Sequence, residues 1–294
     1  MKKHLTALAS AVVLTFVLSA CGSATGTGSS ADPAEDTGLG HIHGVGASGA
    51  TLYVATHQGV YTPAPDGRPA LVGTRKDDFM GFTVTPKGTF LASGHPAPGG
   101  DGPADLGLIE STDRGATWTT RSLAGEVDFH ALDTGPDATV YGYDAADGRL
   151  RVSGDGVVWE ERAALRALDI AVSPAAGAKA GATVLATTEQ GVVRSTDGGR
   201  TFGAPLSPQV VAYVSWAAPD ALFGADPSGT LLRSADGGAS WTRVARLPGG
   251  APQALTAVDA RRILAATGDG VYESADGGRR FVRRMAVASG GDGH

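Results

Sequence analysis

The chain has 294 residues, with 24 basic and 30 acidic side chains and a formal net charge of −6 when histidine is neutral. An acidic balance of this kind argues against nucleic-acid partners and against a basic membrane-binding face. Forty-four glycines and an absence of long helical periodicity point to an all-β protein.

The first element is an export signal over residues 1–21. Lys2 and Lys3 give a positive start, Leu5 to Leu18 an apolar stretch too short for a membrane span, and small residues close it. Its end, Leu18-Ser19-Ala20-Cys21, resembles the lipobox of bacterial lipoproteins. The resemblance implies that Cys21 is lipidated and holds the protein at the extracytoplasmic face of the cell membrane. Cys21 is the only cysteine, so it has no disulfide partner within the chain. Loss of the signal would leave 22 basic against 30 acidic side chains, sharpening the acidic balance. Residues 22–39 are rich in Gly, Ser and Asp and read as a flexible spacer. Residues 288–294 read as a disordered tail.

Between them, residues 40–287 carry short β-branched and aromatic runs bounded by Gly, Pro and Asp, and the pattern repeats. Four segments share one form: STDRGATW from Ser111, STDGGRTF from Ser195, SADGGASW from Ser234 and SADGGRRF from Ser274. A fifth, SGDGVVW from Ser153, is one residue shorter. From Ser111 the steps are 42, 42, 39 and 40 residues, the period of one four-stranded propeller blade. These segments resemble the Asp-box (BNR repeat) of sialidases and sortilin-type propellers. Physically the box is a turn: Asp113, Asp155, Asp197, Asp236 and Asp276 accept nearby backbone N–H groups while glycine takes the left-handed position. These aspartates are therefore expected to be structural. The closing aromatic is expected to pack between blades.

Six units of about 41 residues fit the spacing, so the sequence predicts a six-bladed β-propeller. Each unit reads as inner strand, two further strands, box and outer strand. In the fourth unit the outer strand is expected from Phe202 onward, and the first unit has no box.

The boxes mark one face, so functional groups are sought on the other. In register at the start of the inner strands stand His43, Met80, His130 and Asp169 of units one to four, with His41 on the same side as His43. On the turns between the second and third strands stand His57, His95 and Glu189. Carboxylates Asp77, Asp78, Glu126 and Asp128 lie on loops leading into inner strands. His41, His43, Met80, His130, His57 and His95 form a candidate metal set. Imidazoles with a thioether suit copper, and imidazoles with carboxylates suit zinc. The same groups could instead line a pocket for an organic ligand, or simply hydrate a channel mouth. Trp216, with Tyr213 on the fifth inner strand, could serve as a sugar-stacking platform or as core.

The box resemblance also raises a glycoside hydrolase, for which Asp78, Asp128, Asp169 and Glu189 are the candidate carboxylates. The sialidase pattern is incomplete, because only Arg75, Arg121 and Arg166 are placed to reach the working face and no tyrosine–glutamate pair is identifiable. The chain is also similar to actinobacterial lipoproteins of glycosyl-hydrolase-like description. The matching residues are His41-Ile42-His43-Gly44-Val45-Gly46, Ala55-Thr56-His57-Gln58-Gly59, Ser93-Gly94-His95-Pro96 and Asp128-Phe129-His130-Ala131-Leu132. The expectation is a lipid-anchored propeller holding a small molecule, glycan, metal ion or envelope protein at its histidine-rich mouth. Photosystem-assembly and sortilin-like propellers make a protein-binding assembly factor a further alternative.

Overall fold

The computed structural model describes residues 39–100, 102–175 and 182–287. The expected signal, Cys21, the spacer up to residue 38 and the tail lie outside the described residues. Within them the fold is all-β, with six small antiparallel sheets formed from strands in consecutive order.

Blade 1 is β1 (Ile42–Ser48), β2 (Thr51–Thr56), β3 (Gly59–Pro63) and β4 (Pro69–Leu71). Blade 2 is β5 (Asp78–Val84), β6 (Phe90–His95), β7 (Leu108–Ser111) and β8 (Thr119–Ser122). Blade 3 is β9 (Phe129–Thr134), β10 (Val140–Asp144), β11 (Arg149–Ser153) and β12 (Glu160–Ala164). Blade 4 has only β13 (Asp169–Val172), β14 (Val184–Thr188) and β15 (Gly191–Ser195). Blade 5 is β16 (Tyr213–Ala218), β17 (Ala221–Ala225), β18 (Thr230–Ser234) and β19 (Thr242–Arg246). Blade 6 is β20 (Pro252–Ala257), β21 (Ile263–Thr267), β22 (Gly270–Ser274) and β23 (Val282–Ala286).

The outer strand expected from Phe202 in blade 4 does not form. Only two ladder-like bonds remain there, Gly203 N–H to Arg194 O and Leu206 N–H to Val192 O. Pro205 and Pro208 lack the donors that a continuous ladder needs.

The core is divided by the ring into one apolar cluster per seam between neighbouring blades. Tyr53 and Val60 of blade 1 meet Phe79, Phe90 and Ile109 of blade 2. Leu91 and Leu108 of blade 2 meet Phe129 and Val140 of blade 3, and the pattern continues around the ring. The last cluster joins Leu264, Val271 and Met285 of blade 6 to Ile42, Val45 and Val54 of blade 1. Leu39, read from sequence as the end of the spacer, belongs to this cluster and is buried. An isolated leucine among Gly and Asp offers no periodicity by which to assign it.

Because every middle strand is sandwiched between two seams, both of its faces are apolar, as in Val140–Asp144, which is buried throughout. The outer strands β8, β12, β19 and β23 face solvent and carry Arg121, Glu160, Glu161, Arg243 and Arg283, charges that guard an open sheet edge.

Among the described residues, ring closure between blades 6 and 1 uses side chains and one backbone bond, Ala286 N–H to Gly67 O at 3.2 Å, in place of a shared strand. Thr256 Oγ1 donates to Val45 O at 2.7 Å, Ile42 N–H donates to Gln253 Oε1 at 3.2 Å, and Arg262 reaches the carbonyls of Gly49 and Ala50. Each blade is thus built from its own stretch of chain.

All five Ser-x-Asp turns lie between the third strand and the segment that follows it. In each, the buried serine Oγ accepts an N–H from the turn glycine, as from Gly238 to Ser234 at 2.9 Å, and donates to the aspartate. In all five turns the aspartate Oδ1 accepts local backbone N–H groups, as from Ser240 to Asp236 at 2.8 Å. The closing aromatics pack into the seam with the preceding blade: Trp118 lies 5.1 Å from Phe79, and Trp159 lies 5.0 Å from Phe129 (ring centroids).

Candidate functional site

Consecutive antiparallel order places the starts of the inner strands and the turns between second and third strands at one end of the ring, opposite the Ser-x-Asp turns. A local irregularity sharpens this arrangement. In β1 the pairing runs Ile42 to Thr56 and then Gly44 to Ala55, so His43 is an extra residue with no partner. The same slip makes Met80 extra in β5, His130 in β9 and Gln253 in β20. A β-bulge re-aims its side chain away from the ladder direction. The residue after the bulge is small because the next blade is close. A Cβ on Gly81 would sit 2.3 Å from Phe129 O, and one on Gly44 would sit 2.9 Å from Phe82 Cβ. Asp169, aligned with these positions by sequence, has no bulge and stays in register with Thr187.

The six candidate metal residues do not form one cluster. His41, His43 and His57 of blade 1 gather with Asp78 of blade 2. The Nε2 atoms of His43 and His57 lie 3.2 Å apart, and His57 Nδ1 faces Asp78 Oδ2 at 2.9 Å. His41 adds a third ring, 4.8 Å from that of His43 between centroids. A second group spans blades 2 and 3. His130 Nε2 meets Asp128 Oδ2 at 2.6 Å, and His95 Nε2 approaches the same oxygen at 3.6 Å. His95 Nδ1 is turned to Ala104 O at 3.2 Å and Asp105 Oδ1 at 3.3 Å. In each group three potential ligand atoms lie within 4.8 Å of one another, so each could hold a metal ion. Met80 is half-buried at its bulge.

Burial, reinforced by the neighbouring charges of His41, His57 and His130, pushes the His43 imidazole down to about 3, against a weaker opposing pull from Asp128. His41 is lowered by burial and then by His57. Neutral rings keep a lone pair available for a cation. His43 and His130 line the same central cavity, so the two groups are neighbours. One carboxylate oxygen of Asp78 and one of Asp128 are buried without a hydrogen-bond partner.

Asp169 is placed differently. Its Oδ1 accepts the N–H of Ile170 at 2.9 Å, and its Oδ2 accepts the N–H of Val214 on β16 at 2.8 Å. Asp133 makes the same link from blade 3 to Val172 of blade 4, at 2.7 Å. These are ties between blades, and Asp169 does not join either histidine group. Glu189 is exposed on its turn, outside both groups. Arg121, expected near the working face, pairs instead with Glu110 and with Asp155 O beside a Ser-x-Asp turn, because β8 follows directly on its own Ser-x-Asp turn and keeps Arg121 near that end of the ring. Arg75 is held by Asp77, and Arg166 is exposed. Trp216 is half-buried: it packs against the core between blades 4 and 5, with its ring edge toward Gly237, and it also lines the central cavity.

Asp105, Asp133 and Gln253 escaped the sequence reading. Asp105 sits in an irregular Gly- and Pro-rich loop that no repeat aligns. Gln253 follows a proline where the other bulges carry His or Met. Asp77, one of the carboxylates leading into an inner strand, accepts the N–H of Ala97 at 2.9 Å and so braces the loop beyond His95.

Beneath the mouth a cavity of about 520 Å³ runs along the inner strands, lined by His43 and His130 at the top, then Asp133, Asp169, Tyr213 and Thr256. Burial, with the charge of Asp169, pushes the Tyr213 hydroxyl up to about 12.

No protein-family model matches the sequence, and no curated protein matches it. Among solved structures, a streptogramin B lyase is similar at a TM-score of 0.56 and 12% identity, over 84% of this chain and 83% of that one. Virginiamycin B lyase from Staphylococcus aureus gives 0.54 and 14%, over 82% of each chain. A GH74 enzyme of Niastella koreensis gives 0.53 and 19%, over 84% of this chain but only 38% of that one. At such identities the likeness concerns the β-propeller fold alone.

Proposed function

We propose that this protein is a metal-binding propeller tethered by a lipid on Cys21 to the extracytoplasmic face of the membrane, holding a d-block cation such as zinc or copper between His43 and His57. The observation that carries the reading is the 3.2 Å approach of two Nε2 atoms. Two imidazoles on one tetrahedral ion with bonds of about 2.0–2.1 Å stand roughly 3.3 Å apart, so little movement is needed. Asp78 on the far nitrogen of His57 fixes the tautomer and leaves Nε2 free, as carboxylates behind metal-bound histidines do. Two protein ligands, or three with His41, leave coordination positions open toward the cavity for water or a small ligand. The glycoside-hydrolase alternative has less behind it, since both oxygens of Asp169 accept backbone N–H groups and Glu189 stands apart.

The test is to load the full chain with Zn²⁺ or Cu²⁺, remove excess ion and measure retained metal by mass spectrometry. Retention that falls in the His43→Ala/His57→Ala variant supports the reading. A wild-type protein that retains neither metal overturns it. The anchor is tested separately: Cys21→Ser should shift the protein from membrane to soluble fractions.

A further inference from the structure

We infer that the mouth holds two cations, the second bound by His95, Asp128 and His130 across the seam between blades 2 and 3. The inference rests on the metal-binding reading of the mouth but concerns a separate set of ligands. Three features set this group apart from the His43–His57 pair.

Its donor set is complete. Two imidazoles and one carboxylate, with open positions beyond them, form a common divalent d-block site for zinc or iron. The Asp128 Oδ2 distances of 2.6 Å to His130 Nε2 and 3.6 Å to His95 Nε2 straddle the roughly 3.3 Å expected between ligands of one tetrahedral ion.

Its ligands are held in place from behind. His95 Nδ1 faces Ala104 O and Asp105, which leaves Nε2 directed at Asp128. The backbone of Asp128 is fixed on both sides: its N–H donates to Asp144 Oδ1 at 3.3 Å, and its carbonyl accepts from Ala145 N–H at 2.9 Å. His130 occupies the bulge of β9, free of any pairing constraint. The remaining oxygen of Asp128 is buried and has no partner. A cation on Oδ2 would neutralise the charge of a carboxylate whose other oxygen has no partner in the protein.

Its place in the ring differs. The His43–His57–Asp78 group joins blade 1 to blade 2, and the His95–Asp128–His130 group joins blade 2 to blade 3. The second ion would therefore clamp blade 2 to blade 3, while the first would sit within blade 1 with Asp78 of blade 2 behind His57. An ion that binds the folded protein and not the unfolded chain should raise the unfolding temperature as metal is added.

The experiment is a titration of the full chain with Zn²⁺, followed by mass spectrometry of bound metal, and with Co²⁺ as an absorbing probe of the same sites. Wild type should bind two equivalents. His43→Ala/His57→Ala and His95→Gln/His130→Gln should each bind one, and the fourfold variant none. Thermal unfolding of each apo variant reports whether it is folded, and the cobalt spectrum of wild type gives an independent readout. That spectrum should be the sum of the two singly occupied variant spectra. One equivalent in wild type, lost in both double variants, would mean a single shared centre and overturn the inference while leaving the metal-binding reading intact. One equivalent lost only in the His43/His57 variant would overturn it equally. No bound metal in wild type would remove both.

Discussion

Asp169 on β13 accepts the backbone N–H of Val214 on β16 at 2.8 Å, tying blade 4 to blade 5 through a carboxylate deep in the channel. Burial, with a smaller contribution from Asp133, pushes this carboxyl up to about 7, although two backbone N–H groups pull the other way. Asp133 is raised to about 6 by the same burial. The folded protein therefore keeps protons that the unfolded chain releases in the ordinary carboxylate range. Their contribution to stability is complete below about pH 4 and is lost as pH rises through 6 and 7. Asn at position 169 resembles the protonated acid and does not titrate. The stability gap between wild type and Asp169→Asn should accordingly narrow from pH 5 to pH 8 in urea unfolding. A gap that widens over that range would show that the ionised carboxylate is the form the fold prefers.

Asp78 acts on the metal through His57. Asp78→Asn keeps a hydrogen-bond acceptor but removes the charge that raises the basicity of the ring. Zinc affinity at the His43–His57 site should fall about 10- to 100-fold with stoichiometry unchanged. Calorimetric titration gives both quantities at once, and unchanged affinity would exclude Asp78 as a positioning residue.

The Ser-x-Asp turns predict a measurable cost for one hydroxyl. Ser234 Oγ is buried and accepts the N–H of Gly238. Ser234→Ala leaves that donor without a partner, which costs about 1–3 kcal/mol. In a domain of this size that lowers Tm by roughly 2–4 °C per kcal/mol, readable by calorimetry.

One turn is built with a poorer residue than its siblings. Arg114 has φ of 64°, where the three other full-length turns place Gly198, Gly237 and Gly277. Its side chain is exposed. Left-handed backbone costs a non-glycine residue about 1–2 kcal/mol, partly offset by the greater freedom of glycine in the unfolded chain. Arg114→Gly should raise Tm by a few degrees, and a lower Tm would mean that the arginine makes a contact worth more than the strain.

The ring was legible because each turn must supply the same donors and acceptors, which pins Ser, Asp and Gly to fixed positions and exposes the period. The histidines were legible for the same reason, since His43, His130, His57 and His95 could be placed by aligning units. Their division into two groups was not, because it depends on which blade each imidazole leans toward across a seam. The bulges were hidden too. An extra residue in β1 or β9 alters pairing without altering composition. Asp169 aligns with His43 and His130 by sequence and lines the same cavity, but β13 lacks the bulge that sets those two apart. The missing strand after Phe202 could have been read from Pro205 and Pro208.

The bulges at His43, Met80, His130 and Gln253 carry one more consequence. A residue outside the ladder contributes no strand pair, so its identity is released from the packing that fixes its neighbours. Four such positions around one rim form a set of interchangeable sockets. The chemistry of the mouth could be rewritten, by chance or by design, with the blades beneath left as they are.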